Sequence, residues 1–283
     1  MTYASLLAVV TGAPDDDTML ETATALAARH RAMLRWLPVM PTPDLASADP
    51  WGTGIIAPGV AEAMVEAATA FVDRAKEKAL ALAKLGGLEI SPGEYGPRLA
   101  LCEPELAPWL SLERELPVTD LTILPASAGR GEGPWSGVLG ETLMGCRAPV
   151  LVVHGGQSPA ASTVLVAWNG SLEASRAVRA ALPMLTQARR VIIAQALPHG
   201  AEDRPDAEAL ASHLRRHGVA QIEVLHLVGA DIAEDLSAAA RRIEAGLMVL
   251  GAFGHSRLRE SFLGGVTQSL LRHKAGPDLL IAH

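Results

Sequence analysis

The chain has 283 residues, 49% of them apolar but only 4% aromatic, so its core must be built from aliphatic side chains. Its formal net charge is −7, and without a long basic run it lacks the Lys and Arg clusters that neutralise nucleic-acid or membrane phosphates. No apolar run approaches the ~20 residues that span a bilayer, and Cys102 and Cys146 stand in no metal or redox spacing, which fits a reducing cytosol.

Met1 to Ala13 has no basic lead and is followed at once by Asp15, Asp16 and Asp17; it reads as a buried first strand and not as a signal peptide. Pro38 to Pro58, rich in Pro, Gly and Asp, reads as an insertion or flap, and a long helix over about 59–86 follows it. Trp36, Trp51, Trp109 and Trp135 all fall in this first half, where packing or a dimer contact is the expected use for them.

The chain then repeats itself. Leu6 to Ala13 aligns with Val164 to Ser171, Leu121 to Ala126 with Leu247 to Ala252, and Ala148 to His154 with Gly276 to His283. Three blocks in one order indicate a duplication, joined through Gly155 to Ala160, a flexible linker by composition. The expected domains are residues 1–155 and 163–283.

In the second copy, strand 164–168 leads to a helix whose Ala174, Ala177, Val178, Ala181, Leu182 and Leu185 share one face. Strand 190–197, helix 206–217 and strand 221–228 follow, and Asp231 with Glu234 has the spacing of a capping box opening the next helix. Strand 247–251, a glycine-bearing loop, a helix from about 264 and strand 278–283 complete the unit. Wholly apolar strands alternating with helices imply a parallel sheet covered on both faces. The expected fold is α/β: two tandem, doubly wound, five-stranded, Rossmann-like domains.

One segment carries chemistry: Gly251-Ala252-Phe253-Gly254, nine residues, then Gly264-Gly265-Val266-Thr267. It is a strand end, a glycine turn and a helix start, which together suit phosphate. His255, Arg257 and Arg259 add positive charge, and the Asn169 turn belongs to the same sheet edge, where such folds bind ligands.

This segment resembles the signature of the universal stress protein family, Gly-x2-Gly-x9-Gly-Ser/Thr. Leu247 to Leu250 is similar to that family's fourth strand, and Leu165 to Ser171 to its first strand and turn. The resemblance implies ATP binding, with Mg²⁺ on the phosphates, and by position implicates Ala167, Trp168, Asn169, Ala196, Gly251, Gly254, Gly264, Gly265, Val266 and Thr267. It further implies a regulatory protein of the cytoplasm, paired through its two copies or as a homo-oligomer. Two positions depart from the pattern: Asn169 replaces the family's ribose-binding Asp, and Gly265 replaces its Ser/Thr. The first copy departs further. Thr11, Pro125, Ala128 and Glu141 stand where the second has Asn169, Gly251, Gly254 and Gly265, and Glu141 at a helix start is expected to repel phosphate.

Rival readings are a slow ATPase or phosphotransferase using His255, Arg257 and Arg259, and a scaffold that binds no nucleotide or holds an apolar ligand under Pro38–Pro58. Neither a Walker A loop nor a Gly-x-Ser-x-Gly elbow is present. His213 and His217, four apart on a helix, read as a solvated face, and His154 and His283 as repeat-related strand ends.

Overall fold

In the computed structural model, residues 2–39, 58–90, 96–102, 108–131, 137–155, 163–196, 206–229, 231–252, 265–273 and 275–283 are described. Pro38 lies on a strand and Val39 follows it, but residues 40–57 of the expected flap are outside them.

The first half opens with strand β1 (Ser5–Val10), helix α1 (Asp16–His30) and β2 (Met33–Pro38). The long helix α2 (Pro58–Gly86) follows, then β3 (Glu89–Ile90), β4 (Arg98–Leu101) and α3 (Pro108–Glu115). β5 (Leu121–Pro125) runs straight into a single turn, α4 (Ala126–Gly129); α5 (Val138–Gly140) passes into a π turn, Glu141–Gly145, ahead of β6 (Val150–Val153). The second half is β7 (Thr163–Ala167), α6 (Leu172–Leu185), β8 (Arg190–Ala196), α7 (Ala207–Arg216), β9 (Ile222–Leu227), α8 (Ile232–Arg242), β10 (Ala245–Gly251), α9 (Gly265–Arg272) and β11 (Asp278–Ala282).

All eleven strands join one sheet in the order β3-β4-β2-β1-β5-β6-β11-β10-β7-β8-β9. The first half contributes β4-β2-β1-β5-β6 and the second β9-β8-β7-β10-β11, the same order read from opposite edges, with β3 a short addition. Every pairing is parallel except β6 with β11. There Leu151 faces Leu280, its own counterpart in the repeat, while Val150 pairs Ile281 and Val152 pairs Leu279. Such an exchange of equivalents is what a two-fold axis through Leu151 and Leu280 requires. Two separate sheets were the expectation from sequence; the structure fuses them, because the last strand of each copy is an open edge that the other can pair.

Helices cover both faces, and the strands are accordingly apolar throughout. One core cluster holds Leu6, Leu151, Val164 and Leu280, and the other Leu7, Val150, Leu165 and Ile281, so both cores run unbroken across the seam. Trp36 is completely buried in the first of them. Tyr3, also buried, donates its hydroxyl to the Ala180 carbonyl of the other half at 2.7 Å, and Arg29 reaches Gln187.

Local chemistry sets the helix starts. Ser171 accepts from Ala174 N at 3.1 Å and Asp206 from Ala209 N at 3.0 Å. Asp231 caps α8 through Ala233 N and Glu234 N, but Glu234 turns away to Arg241 at 2.7 Å and does not return to the cap. The expected capping box is therefore half made. An exposed Glu gains more from a cation two turns on, on the same helix face, than from a single amide that water can serve.

Candidate functional site

The strand order of the second half reverses between β7 and β10, and its sheet edge at that crevice is where an open α/β sheet takes ligands. Register places the expected residues there. Ala167 pairs Ala194, so Ala196 at the end of β8 stands level with Asn169; Val249 pairs Val166, so Gly251 stands level with Trp168. Trp168 N donates to Ala194 O at 2.8 Å, which carries the ladder one residue past β7, while its indole packs on the core.

The turn after β7 is tightly specified. Asn169 is exposed, and its Oδ1 accepts from Ser171 N at 3.0 Å. Between them Gly170 has φ 72°, a left-handed conformation that glycine adopts without strain. Its repeat counterpart Gly12 has φ 79°. The Asn169 carbonyl oxygen is thus engaged within the turn.

Gly251 is needed for approach. A Cβ there would stand 2.4 Å from Ala174 N and 2.6 Å from Glu173 C, so the end of β10 presses on the first turn of α6. The next residue, Ala252, donates to Ala282 O at 2.8 Å, and the His283 ring lies 3.3 Å from Ala252 O. Beside it, backbone hydrogen bonding chiefly, with His283 and Arg176 adding, holds the Glu173 carboxyl below its usual range.

On the far side of the loop, α9 begins with Gly265, which is exposed and would meet nothing within 4 Å if it bore a Cβ. Val266 leans on the core, and Thr267 is 4% exposed, a buried hydroxyl and not a surface one. Gly254 and Gly264, together with His255, Arg257 and Arg259, lie outside the described residues. The structure therefore brings Ala167, Trp168, Asn169, Ala196 and Gly251 to one edge, and opens α9 toward that edge through the β10–α9–β11 crossover.

The first half fills the corresponding donors with its own acids. Asp16 accepts from Thr11 N at 2.9 Å, Thr11 Oγ1 at 3.0 Å and Gly12 N at 2.6 Å. Its carboxyl is nonetheless pushed up to about 6 by burial, against the pull of those donors. Asp15 takes Ser127 N at 2.8 Å and Ser127 Oγ at 2.6 Å, at the start of the turn that follows β5. Glu141, expected at a helix start, lies one turn inside: the helix begins at Val138 and the acid folds against Gly145. Asp15 and Asp16 thus place two carboxylates on amides of this sheet edge. The Asp run after β1 was visible in the sequence, but which amides it would reach depended on the fold.

Among the described residues no group of three or more His, Cys, Asp or Glu could hold a metal, and no helix is long and apolar enough to cross a membrane. Cys102 and Cys146 are free thiols, and burial foremost raises the Cys102 thiol to about 12.

A mostly parallel, doubly wound sheet with a glycine strand end at its reversal point defines an open α/β protein of Rossmann-like class. Residues 161–281 match the model of the universal stress protein family. It is similar to a universal stress protein from Archaeoglobus fulgidus DSM 4304 at 14% identity, covering 98% of this chain and 95% of that one with a TM-score of 0.66. A putative universal stress protein from Pseudomonas aeruginosa UCBPP-PA14 is similar at 16% identity over 99% and 93%, TM-score 0.54. Both likenesses extend the fold through the first half. A universal stress protein in complex with cAMP shares 27% identity over 44% of this chain and 98% of that one, TM-score 0.36. No curated protein sequence matches the chain.

Proposed function

We propose that residues 163–283 form a domain that binds one adenine nucleotide, ATP with Mg²⁺ on its phosphates, and that residues 1–155 form a second domain silent toward it. The observation that carries this is the arrangement at the reversal point. Gly251 lets β10 close on α6, Asn169 is exposed beside it, and Gly265, where an added Cβ would meet nothing within 4 Å, opens α9. The first backbone amides of a helix are anion donors with no partner inside the helix, and those of Gly265, Val266 and Thr267 would serve the phosphates, with Gly254 and Gly264 completing the loop. Because Oδ1 of Asn169 is held by Ser171 N, this side chain would meet a ribose hydroxyl by donating from Nδ2. The ends of β7 and β8, at Ala167, Trp168 and Ala196, would border the base.

The role is regulatory, in a stress response in the cytoplasm, with nucleotide occupancy biasing shape or partner choice. The pairing of the two halves through β6 and β11 would stand in for a homodimer. The test is Mg-ATP affinity of the native chain against Asn169→Asp combined with Gly265→Ser. Restoring a hydroxyl, worth about 0.5–1.5 kcal/mol, and an acid, worth up to about 3 kcal/mol, should tighten binding by roughly one to three powers of ten. Unchanged affinity in the double variant would place the nucleotide elsewhere.

A further inference from the structure

The end of α7 carries His213 and His217, four residues apart, so their side chains stand over one another on one helix face. From sequence they read as a solvated face. In the structure the two rings meet, with centres 4.6 Å apart and planes at 65°. Both residues are partly exposed, and among the described residues no side-chain hydrogen bond engages either ring. The turn that holds them is closed, since His217 N donates to the His213 carbonyl at 3.3 Å and to the Leu214 carbonyl at 3.0 Å.

That separation is the one that sharing a metal ion requires. Two imidazole nitrogens bound at about 2.0–2.1 Å to one ion, with the ligands roughly 90–110° apart, put the ring centres about 4.5–5.3 Å apart. Turning the rings about their Cβ–Cγ bonds aims a nitrogen of each at one point outside the helix. A ligating imidazole must also be unprotonated. Burial foremost, then His217 and the charges of Arg179 and Arg216, hold the His213 ring below its ordinary value. The carbonyl end of a helix is its negative pole and favours a cation. The two guanidinium groups oppose one and limit its affinity. No third His, Cys, Asp or Glu joins the pair among the described residues, so water completes the coordination.

We propose that His213 and His217 form a two-histidine chelate for a divalent late transition-metal ion, Zn²⁺ or Ni²⁺. Imidazole nitrogen suits these ions, whereas the harder Mg²⁺ takes oxygen ligands. An ion held there clamps the last turn of α7. Because the two rings are brought together only by the folded helix, its binding raises the Tm. α7 connects the parallel strands β8 and β9, so its C-terminus lies where the strands begin. That is the sheet edge opposite the nucleotide crevice, and the metal site stands or falls independently of it.

The test titrates ZnCl2 and NiCl2 into the full chain, free of any affinity tag and stripped of metal by a chelator, by calorimetry and thermal shift. MgCl2 is the comparator. At least one of the two ions should bind at a site that His213→Gln and His217→Gln each weaken by about tenfold or more, since either change leaves one ligand of two. Ni²⁺, being paramagnetic, should broaden the ring NMR signals of His213 and His217 together, ahead of those of His226 and His273. If one histidine variant unfolds, the other and the broadening decide. The proposal is overturned if neither ion binds at about 1 mM or if MgCl2 raises the Tm as much as they do. It is equally overturned if a folded histidine variant binds like the native chain, or if other ring signals broaden first.

Discussion

Replacing Gly251 by Ala tests the packing of the site without touching a ligand. The added methyl would stand 2.4 Å from Ala174 N and 2.6 Å from Glu173 C, both main-chain atoms of α6, so no side chain can rotate away to make room. Either β10 retreats from the helix or the first turn of α6 shifts. Overpacking of this kind costs about 1–3 kcal/mol. The crowded nitrogen is also the one that Ser171 caps at 3.1 Å, and loss of that cap costs about 1 kcal/mol more. The sum is roughly 2–4 kcal/mol, a fall in Tm of about 5–15 °C for a chain of this size. Urea unfolding followed by circular dichroism measures it, with Gly265→Ser as the internal control. An added side chain at Gly265 meets nothing within 4 Å, so its stability should stay within about 0.5 kcal/mol of native. A Gly251→Ala protein as stable as the control would show that β10 and α6 do not approach so closely.

Three further outcomes follow from the geometry. The Asp16 carboxyl sits at about 6 in the folded chain, above its ordinary value of 3.8, so the native state holds its proton more tightly. Its contribution to stability is full below pH 3.8 and lost as pH rises through 6, by about 3 kcal/mol in all; Asp16→Asn should remove that slope, and an unaltered pH profile would contradict it. His154 runs the other way. Burial above all, with the Arg130 charge, depresses it to about 4 from 6.5, so NMR titration of its ring should give a midpoint near 4, and one near 6.5 would refute the buried placement. Leu151→Ala and Leu280→Ala, equivalent across the seam and both fully buried, should each cost about 2–5 kcal/mol; a loss confined to one of them in chemical denaturation would deny the two-fold relation.

The fold was legible because both periodicities were strong. Runs such as Leu247 to Leu250 had no polar residue to suggest an exposed face, and the Ala174–Leu185 stripe matched a helix turn for turn. Gly12 and Gly170 aligned in the repeat and share a left-handed φ. The seam was not legible, since Val150 to Val153 and Leu279 to Ala282 read equally well as edges of two sheets. Pairing between them depends on contacts remote in sequence, not on any local residue. At the site, the sequence singled out Asn169, Gly251 and Gly265 but gave no sign of the close approach of Gly251 to Glu173 and Ala174. That Asn169 Oδ1 closes its own turn on Ser171 N was not read from the sequence. Side chains as short as Asp16 and Asn169 find local amides first, whereas the partner of Asp15, Ser127, is brought to it only when the strands are aligned.

The central claim is one nucleotide site per chain, in the second half, at the loop from Gly251 to Thr267. Calorimetric titration of Mg-ATP into the native protein and into Gly264→Val tests it most directly. The account predicts a stoichiometry of about one in the native chain, since Asp16 and Asp15 already hold the Gly12 and Ser127 amides at the first half's sheet edge. It predicts no binding heat in Gly264→Val while that variant keeps the native Tm. Two equivalent sites, or native affinity in Gly264→Val, would contradict it.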